Sequence, residues 1–198
     1  MGTYRTVARP ATAELKLEKS RFISYAAPTL NAAEAQAMIS RLRQEHRQAT
    51  HVCFAYRVGD EPQTVTCFAD HGEPAGTAGK PILGAILRRD LTDVTVVVVR
   101  YFGGKKLGVR GLIQAYGQAA EEALEAAGIS VQQRMQTLRV ACSYAQLPAV
   151  AHLARQTGGQ AGAPEYDARR VTVEVRVPLE ALPAFRTAVA ALGAELGE

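Results

Sequence analysis

The chain predicts an α+β protein of two domains, a two-layer α/β domain over residues 1–130 followed by a small β-α-β-β-α-β domain over residues 135–198. Three observations predict it. Residues 94–99 are an almost unbroken β-branched run, the pattern of a strand buried on both faces at the centre of a sheet. After Gly128 the character changes, and short strand and helix patterns follow one another in the order of one compact six-element unit. Hydrophobic residues make up 47% of the 198, with no long charged tract, which is enough apolar material for either core.

Residues 1–11 read as an irregular start. Residues 14–17 and 21–26 predict two strands joined by Lys19-Ser20. Asn31 opens a helix, because Glu34 stands three residues on as in a capping box. Ala35, Met38, Ile39 and Leu42 then repeat at helical spacing opposite Arg41, Glu45 and Arg47. Residues 50–58 alternate strictly. Val52, Phe54, Tyr56 and Val58 belong on the core, which leaves His51, Cys53, Ala55 and Arg57 to face solvent or a ligand. Residues 59–62 predict a turn into a second strand over 63–69.

A polar glycine-rich loop covers residues 70–80, and Pro81 suits the first turn of a short helix ending near residue 89. The central strand runs into Gly103-Gly104. A long helix follows over 109–127, with Leu112, Tyr116, Ala119, Ala123 and Ala127 on its buried face and Gly128 as its stop. In the tail, strands are predicted at 135–142, 160–166, 171–177 and 194–196, and helices at 144–156 and 178–192. That order is ferredoxin-like.

The charge is distributed unevenly. The net charge is only +4, yet Lys80 to Arg110 holds seven basic residues against Asp90 and Asp93. Arg100, Lys105, Lys106 and Arg110 surround Gly103, Gly104 and Gly108 at the start of the long helix. Glycines allow close approach of the backbone, and a helix N-terminus offers free amide donors, so these seven residues predict an anion or nucleic-acid site. The spacing is neither that of a P-loop nor that of a dinucleotide fingerprint. Aromatics that could stack bases are few near the basic loops: Tyr25, Tyr101, Phe102 and Tyr116, of which Tyr116 faces the core and Phe102 follows the strand end, so single-strand stacking has thin support.

His51, Asp70, Glu73 and Thr77 are expected to line the same cleft. Glu73, with Asp70, His71 or His51, could act as an acid–base group. Shaping of the loop by Asp70 and Glu73 is the preferred reading, since it accounts for the flanking glycines without any chemistry. His51, Cys53, Cys67 and His71 are right in type for zinc, but their spacing is no recognised knuckle, so no metal is expected. His51 and Cys53 make a weak nucleophile pair, because nothing identifies an oxyanion hole. No cofactor is called for. Three widely spaced cysteines, no basic-then-apolar leader and no membrane-length apolar run predict a reduced, cytoplasmic protein without a membrane role.

Several short motifs occur in fixed order. They are Gly72-Glu-Pro74, Gly76-Thr-Ala-Gly-Lys-Pro81, and Val99-Arg-Tyr-Phe-Gly-Gly104 with Leu107-Gly108. Lys19-Ser-Arg-Phe22, Ala49-Thr-His51, Cys53-Phe-Ala-Tyr56, Gly111-Leu112 and Ala115-Tyr116 accompany them. Over roughly residues 15–127 the chain resembles the IMPACT family, including its YigZ-like bacterial members, and the tail resembles their small C-terminal domain. The chain departs from the family's frequent Asp-Asp before Gly-Glu-Pro, having His71 at the second position. It also carries Arg110 and Gln114 where glycine and a basic residue are common.

The resemblance implies an N-terminal domain of the type found in ribosomal proteins and the fourth domain of elongation factor G, and a tail like that factor's ferredoxin-like fifth domain. It also implies a left-handed crossover, against the usual right-handed rule. Its functional implication is RNA or ribosome binding linked to regulation of translation, with a protein partner in translation control as a further target. The alternative is an enzyme acting on a small phosphorylated or nucleotide substrate.

Overall fold

A computed structural model describes residues 2–59 and 63–197 of the chain. Residues Arg5–Val131 form one unit, and Gln132–Glu198 with Met1–Tyr4 the other. The expected turn at 59–62 lies largely outside the described residues, since 60–62 are not among them.

The first residues are not irregular. Strand β1 (Thr3–Val7) pairs with β7 (Ile129–Gln133) in a two-stranded sheet. Both strands escape local pattern because each is only five residues long, β7 is largely exposed, and each is recognisable only by its partner more than a hundred residues away in the chain.

The main sheet of the larger unit contains β2 (Ala11–Leu17), β3 (Ser20–Pro28), β4 (His51–Val58), β5 (Val65–Ala69) and β6 (Val94–Tyr101). Their spatial order is β2-β3-β6-β4-β5, with every neighbouring pair antiparallel. β6 is the central strand and is buried from Val94 to Arg100. Helix α1 (Ala32–Glu45) starts at Asn31, whose side chain accepts from the Glu34 amide at 2.9 Å. The Glu34 carboxylate reaches back to the amide of Leu30, one residue before the cap, at 2.8 Å.

α1 covers one face of the sheet with Ala35, Ile39 and Leu42 against Val52, Phe54, Tyr56, Val97 and Val99. Helices α2 (Gly79–Arg88) and α3 (Gly108–Ala127) cover the other, packing Ile82, Ile86, Leu112, Tyr116 and Ala119 onto Phe22, Cys53, Ala55, Val96 and Val98. α1 therefore adds a third layer to the two expected. Cys53 and Ala55, expected to be free for solvent or a ligand, are fully buried, because these small side chains lie where α2 approaches the sheet.

The two β-α-β crossovers of this unit have opposite hands. β3 and β4 are parallel to each other, each antiparallel to β6 between them, and α1 connects them over one face. β5 and β6 are parallel across β4, and α2 connects them over the opposite face. A half-turn about the sheet normal superimposes the two paths except for the side on which the helix lies. One crossover is consequently left-handed, the rarer hand for such connections.

The smaller unit is ferredoxin-like. Strands β8 (Met135–Cys142), β9 (Gln160–Tyr166), β10 (Val171–Pro178) and β11 (Glu195–Gly197) pair antiparallel in the order β11-β8-β10-β9. Helices α4 (Leu147–Gln156) and α5 (Leu182–Ala191) place Val150, Ala154, Phe185 and Val189 against Val140, Cys142, Val173 and Val175. Thr137, Arg139, Thr172, Glu174 and Arg176 alternate onto the other face of β8 and β10, so its two central strands present no aromatic platform there. Among the described residues no helix is long and apolar enough to cross a membrane.

Candidate functional site

The register of β6 builds the site. Arg100 lies directly opposite Phe22 on β3 and His51 on β4, so the three side chains form one row at the end of the sheet, on the face covered by α3. A charge in a fully buried strand requires a partner. The partner is Glu73, brought in by the loop after β5: Arg100 Nη1 donates to Glu73 Oε1 at 2.6 Å, and their side chains are only 5% and 3% exposed. Tyr116 of α3 donates its hydroxyl to the same Oε1 at 2.8 Å. Burial, beside Cys53 and Glu73, pushes the Tyr116 phenol far up, so it remains a donor. Ser20 Oγ accepts from Arg100 Nη2 at 3.3 Å. The guanidinium lies 5.4 Å from the Phe22 ring centroid and 5.3 Å from that of Phe102, while its buried Nε has no hydrogen-bond partner among the described residues.

His51 completes the group. Its Nδ1 lies 3.1 Å from the His71 carbonyl, which can only accept, so Nδ1 carries the proton. Its Nε2 lies 3.8 Å from Glu73 Oε1. Gly72 permits this approach, since a Cβ there would stand 3.1 Å from His51 Nδ1.

Asp70 holds the loop in shape. Its carboxylate accepts from the amides of Gly76 (2.7 Å), Ala78 (3.0 Å) and Gly79 (2.8 Å), the last two at the start of α2. Burial alone would raise its pKa, but these three amides outweigh it and hold the carboxyl below the ordinary aspartate range. Thr77 Oγ1 donates to the Pro74 carbonyl at 2.7 Å. The loop-shaping role expected of both acids thus falls to Asp70, with Thr77, while Glu73 is a buried counter-charge.

Above this group a cavity of about 440 Å³ opens beside the first turn of α3. His51, Glu73, Arg100, Lys106 and Gly108 line it with Thr50, Phe102 and an apolar wall that includes Leu107, Val109 and Leu112. Of the expected cleft residues His51 and Glu73 reach this cavity, whereas Asp70 and Thr77 lie in the loop and do not line it.

The four expected cations separate. Arg100 was expected to contact an anion directly; it is instead buried and matched by Glu73, because its β6 position points it beneath α3. Lys105 pairs with Glu18 at 2.5 Å. Lys106 and Arg110 are exposed at the start of α3, whose first turn has no acidic residue and no side-chain cap. Gly103 packs so closely on the β2–β3 turn that a Cβ would lie 1.7 Å from the Lys19 carbonyl oxygen, and Gly104 and Gly108 take positive φ values of 90° and 69°.

Of the four zinc-type residues, Cys53 is buried under α2 and donates to the Asp70 carbonyl at 2.9 Å, while Cys67 packs on the opposite face of the sheet. Burial pushes the Cys53 thiol up to about 12, which removes it as a nucleophile at neutral pH. Sequence reasoning missed Ser20, Thr50 and the Tyr116 hydroxyl. The available signal was Arg100 itself, a charge at the end of a strand of buried valines.

The chain is a two-domain protein, a three-layer α/β unit followed by a ferredoxin-like one, and it belongs to the IMPACT family. The Impact N-terminal domain matches residues 18–124, and a domain of unknown function, DUF1949, matches residues 140–194. The IMPACT family member YigZ of Escherichia coli (strain K12) is 37% identical over 95% of this chain and 90% of its own length. A crystal structure described as that of a hypothetical protein superposes with a TM-score of 0.77 at 34% identity, covering 99% of this chain and 97% of the other. The two-domain translational regulator Yih1 is 30% identical, covering 63% of this chain and 47% of its own, with a TM-score of 0.40.

Proposed function

We propose that the chain binds RNA, free or in the ribosome, through the start of α3, and that this binding serves regulation of translation as the family resemblance implies. The observation that carries the reading is the exposure of Lys106 and Arg110 at the N-terminal end of a 20-residue helix with no acidic residue in its first turn. Cationic side chains and unsatisfied helix amides there act on the same anion. Phe102, 43% exposed, adds an aromatic face beside them. The two central strands of the ferredoxin-like sheet carry no exposed aromatic among the described residues; their exposed side chains are Thr137, Arg139, Glu174 and Arg176.

A second reading, an enzyme acting on a small phosphorylated or nucleotide substrate, has the Glu73–His51 approach of 3.8 Å at the cavity wall in its favour. Glu73 Oε1 already accepts from Arg100 and Tyr116, an arrangement that suits a fixed negative charge better than a proton carrier.

Salt dependence separates the two. RNA binding followed by fluorescence anisotropy should weaken with salt on a log–log slope of about −0.7 per phosphate contact on a single strand. A chain that binds no RNA, or binds with a slope near zero, contradicts the proposal.

A further inference from the structure

We propose that the cavity beside α3 receives one unpaired nucleotide of the bound RNA, its base against Phe102 and the apolar wall of α3, its phosphate at Lys106 and the first amides of that helix. This rests on the RNA-binding reading and deepens it by stating which form of RNA the site takes.

The cavity has the size and lining of a small-molecule site rather than of a surface groove for a backbone. Its volume of about 440 Å³ falls within the roughly 300–1,000 Å³ of such pockets. Phe102, Leu107, Val109 and Leu112 make walls suited to a flat apolar ring. The Phe102 ring is held by the Arg100 guanidinium at 5.3 Å yet remains 43% exposed, so stacking a base on it requires little further ordering.

The polar floor fits a base edge. Glu73 offers only acceptor oxygens, and His51, its Nδ1–H engaged by the His71 carbonyl, lines the floor beside it with Nε2 at 3.8 Å from Glu73 Oε1. The carboxylate acceptor suits the exocyclic amino groups of adenine, cytosine and guanine, which uracil lacks.

Charge is complementary as well. Glu73 and Arg100 cancel, and Lys106 adds a positive charge to the lining, the match for a phosphodiester. Finally, Arg100 lines this wall, and its buried Nε has no hydrogen-bond partner among the described residues, an uncommon state for a buried donor. A regular duplex cannot insert a base into such a pocket without unpairing it, so the pocket selects single strands.

The test measures affinities of the full chain for a short oligoadenylate, an oligouridylate of equal length and a duplex of that length. The variants are Phe102→Ala, which removes the stacking face, and Val109→Trp. Val109 is 58% exposed in the first turn of α3, so the larger side chain fills the cavity mouth without entering the core. The wild type should bind oligoadenylate more tightly than oligouridylate or duplex. Each variant should lose about 5- to 100-fold on oligoadenylate, little on duplex, and keep the salt slope. Variants that bind oligoadenylate as tightly as the wild type, while salt-dependent RNA binding persists, overturn the pocket and leave the RNA reading standing. A wild-type chain that binds neither single strand nor duplex overturns both.

Discussion

Glu73→Gln is the substitution that probes the buried pair most sharply. It preserves shape and leaves an amide oxygen for Tyr116 and Arg100, but removes the counter-charge of a guanidinium that cannot deprotonate. With side-chain exposures of 5% and 3%, both charges are out of water, and breaking such a pair from one side costs about 3–5 kcal/mol. Arg100→Met should cost less, because the abandoned Glu73 can take up a proton and become neutral. The double variant should cost less than the sum of the two by up to about 3 kcal/mol.

Amide hydrogen exchange along β6 is the suitable assay, since it reads the larger unit separately from the ferredoxin-like one and does not assume one unfolding transition for both. Exchange at Val96 to Val99 should accelerate about 100-fold or more in Glu73→Gln, at 1.4 kcal/mol per tenfold. If each single variant costs less than about 1 kcal/mol, the pair is solvated and the buried-charge account of the site is wrong.

Further outcomes follow from the loops. Asp70→Ala should destabilise by more than about 2 kcal/mol in a denaturant titration, because three amide donors lose a charged acceptor together. Since the folded pKa of Asp70 lies below the unfolded value of about 3.9, its stabilisation is complete above that value and is lost as the pH falls through the folded one. The wild type should accordingly lose more stability between neutral and strongly acidic pH than Asp70→Asn does. Gly103→Ala should be more damaging than Gly104→Ala in thermal unfolding: the first drives a Cβ into the Lys19 carbonyl, while the second strains only a φ of 90° in open space. Thiol labelling of the native protein at neutral pH should spare Cys53 and reach the partly exposed Cys67, since burial holds the Cys53 thiol at about 12.

Much of this was legible in local pattern. The central strand, the Asn31–Glu34 start of α1, the buried face of α3 and the six-element tail all follow from periodicity and capping, because each depends on residues a few positions apart. The first strand failed because its partner is remote, and Cys53 and Ala55 failed because alternation between bulky and small residues resembles alternation between core and solvent. The site was legible as a set of residues but not as an arrangement. Four cations near three glycines read as one patch; the fold sorts them into a buried counter-ion, a surface pair with Glu18 and two exposed charges. That sorting depends on which side chains β6 and the loop after β5 turn inward together, a long-range fact with no local signature.

The central claim is that the exposed cations at the start of α3 contact RNA phosphate. The most direct measurement is the salt dependence of single-stranded RNA affinity for the wild type, for Lys106→Ala with Arg110→Ala, and for Arg169→Ala, an exposed arginine of the ferredoxin-like unit, as control. Two lost contacts should weaken binding at moderate salt and make the slope shallower by about 1.4, with stability changed by less than about 0.5 kcal/mol and the control unaltered. A Lys106/Arg110 double variant with wild-type affinity and slope would contradict the account and leave the glycine loops as supports of the fold alone.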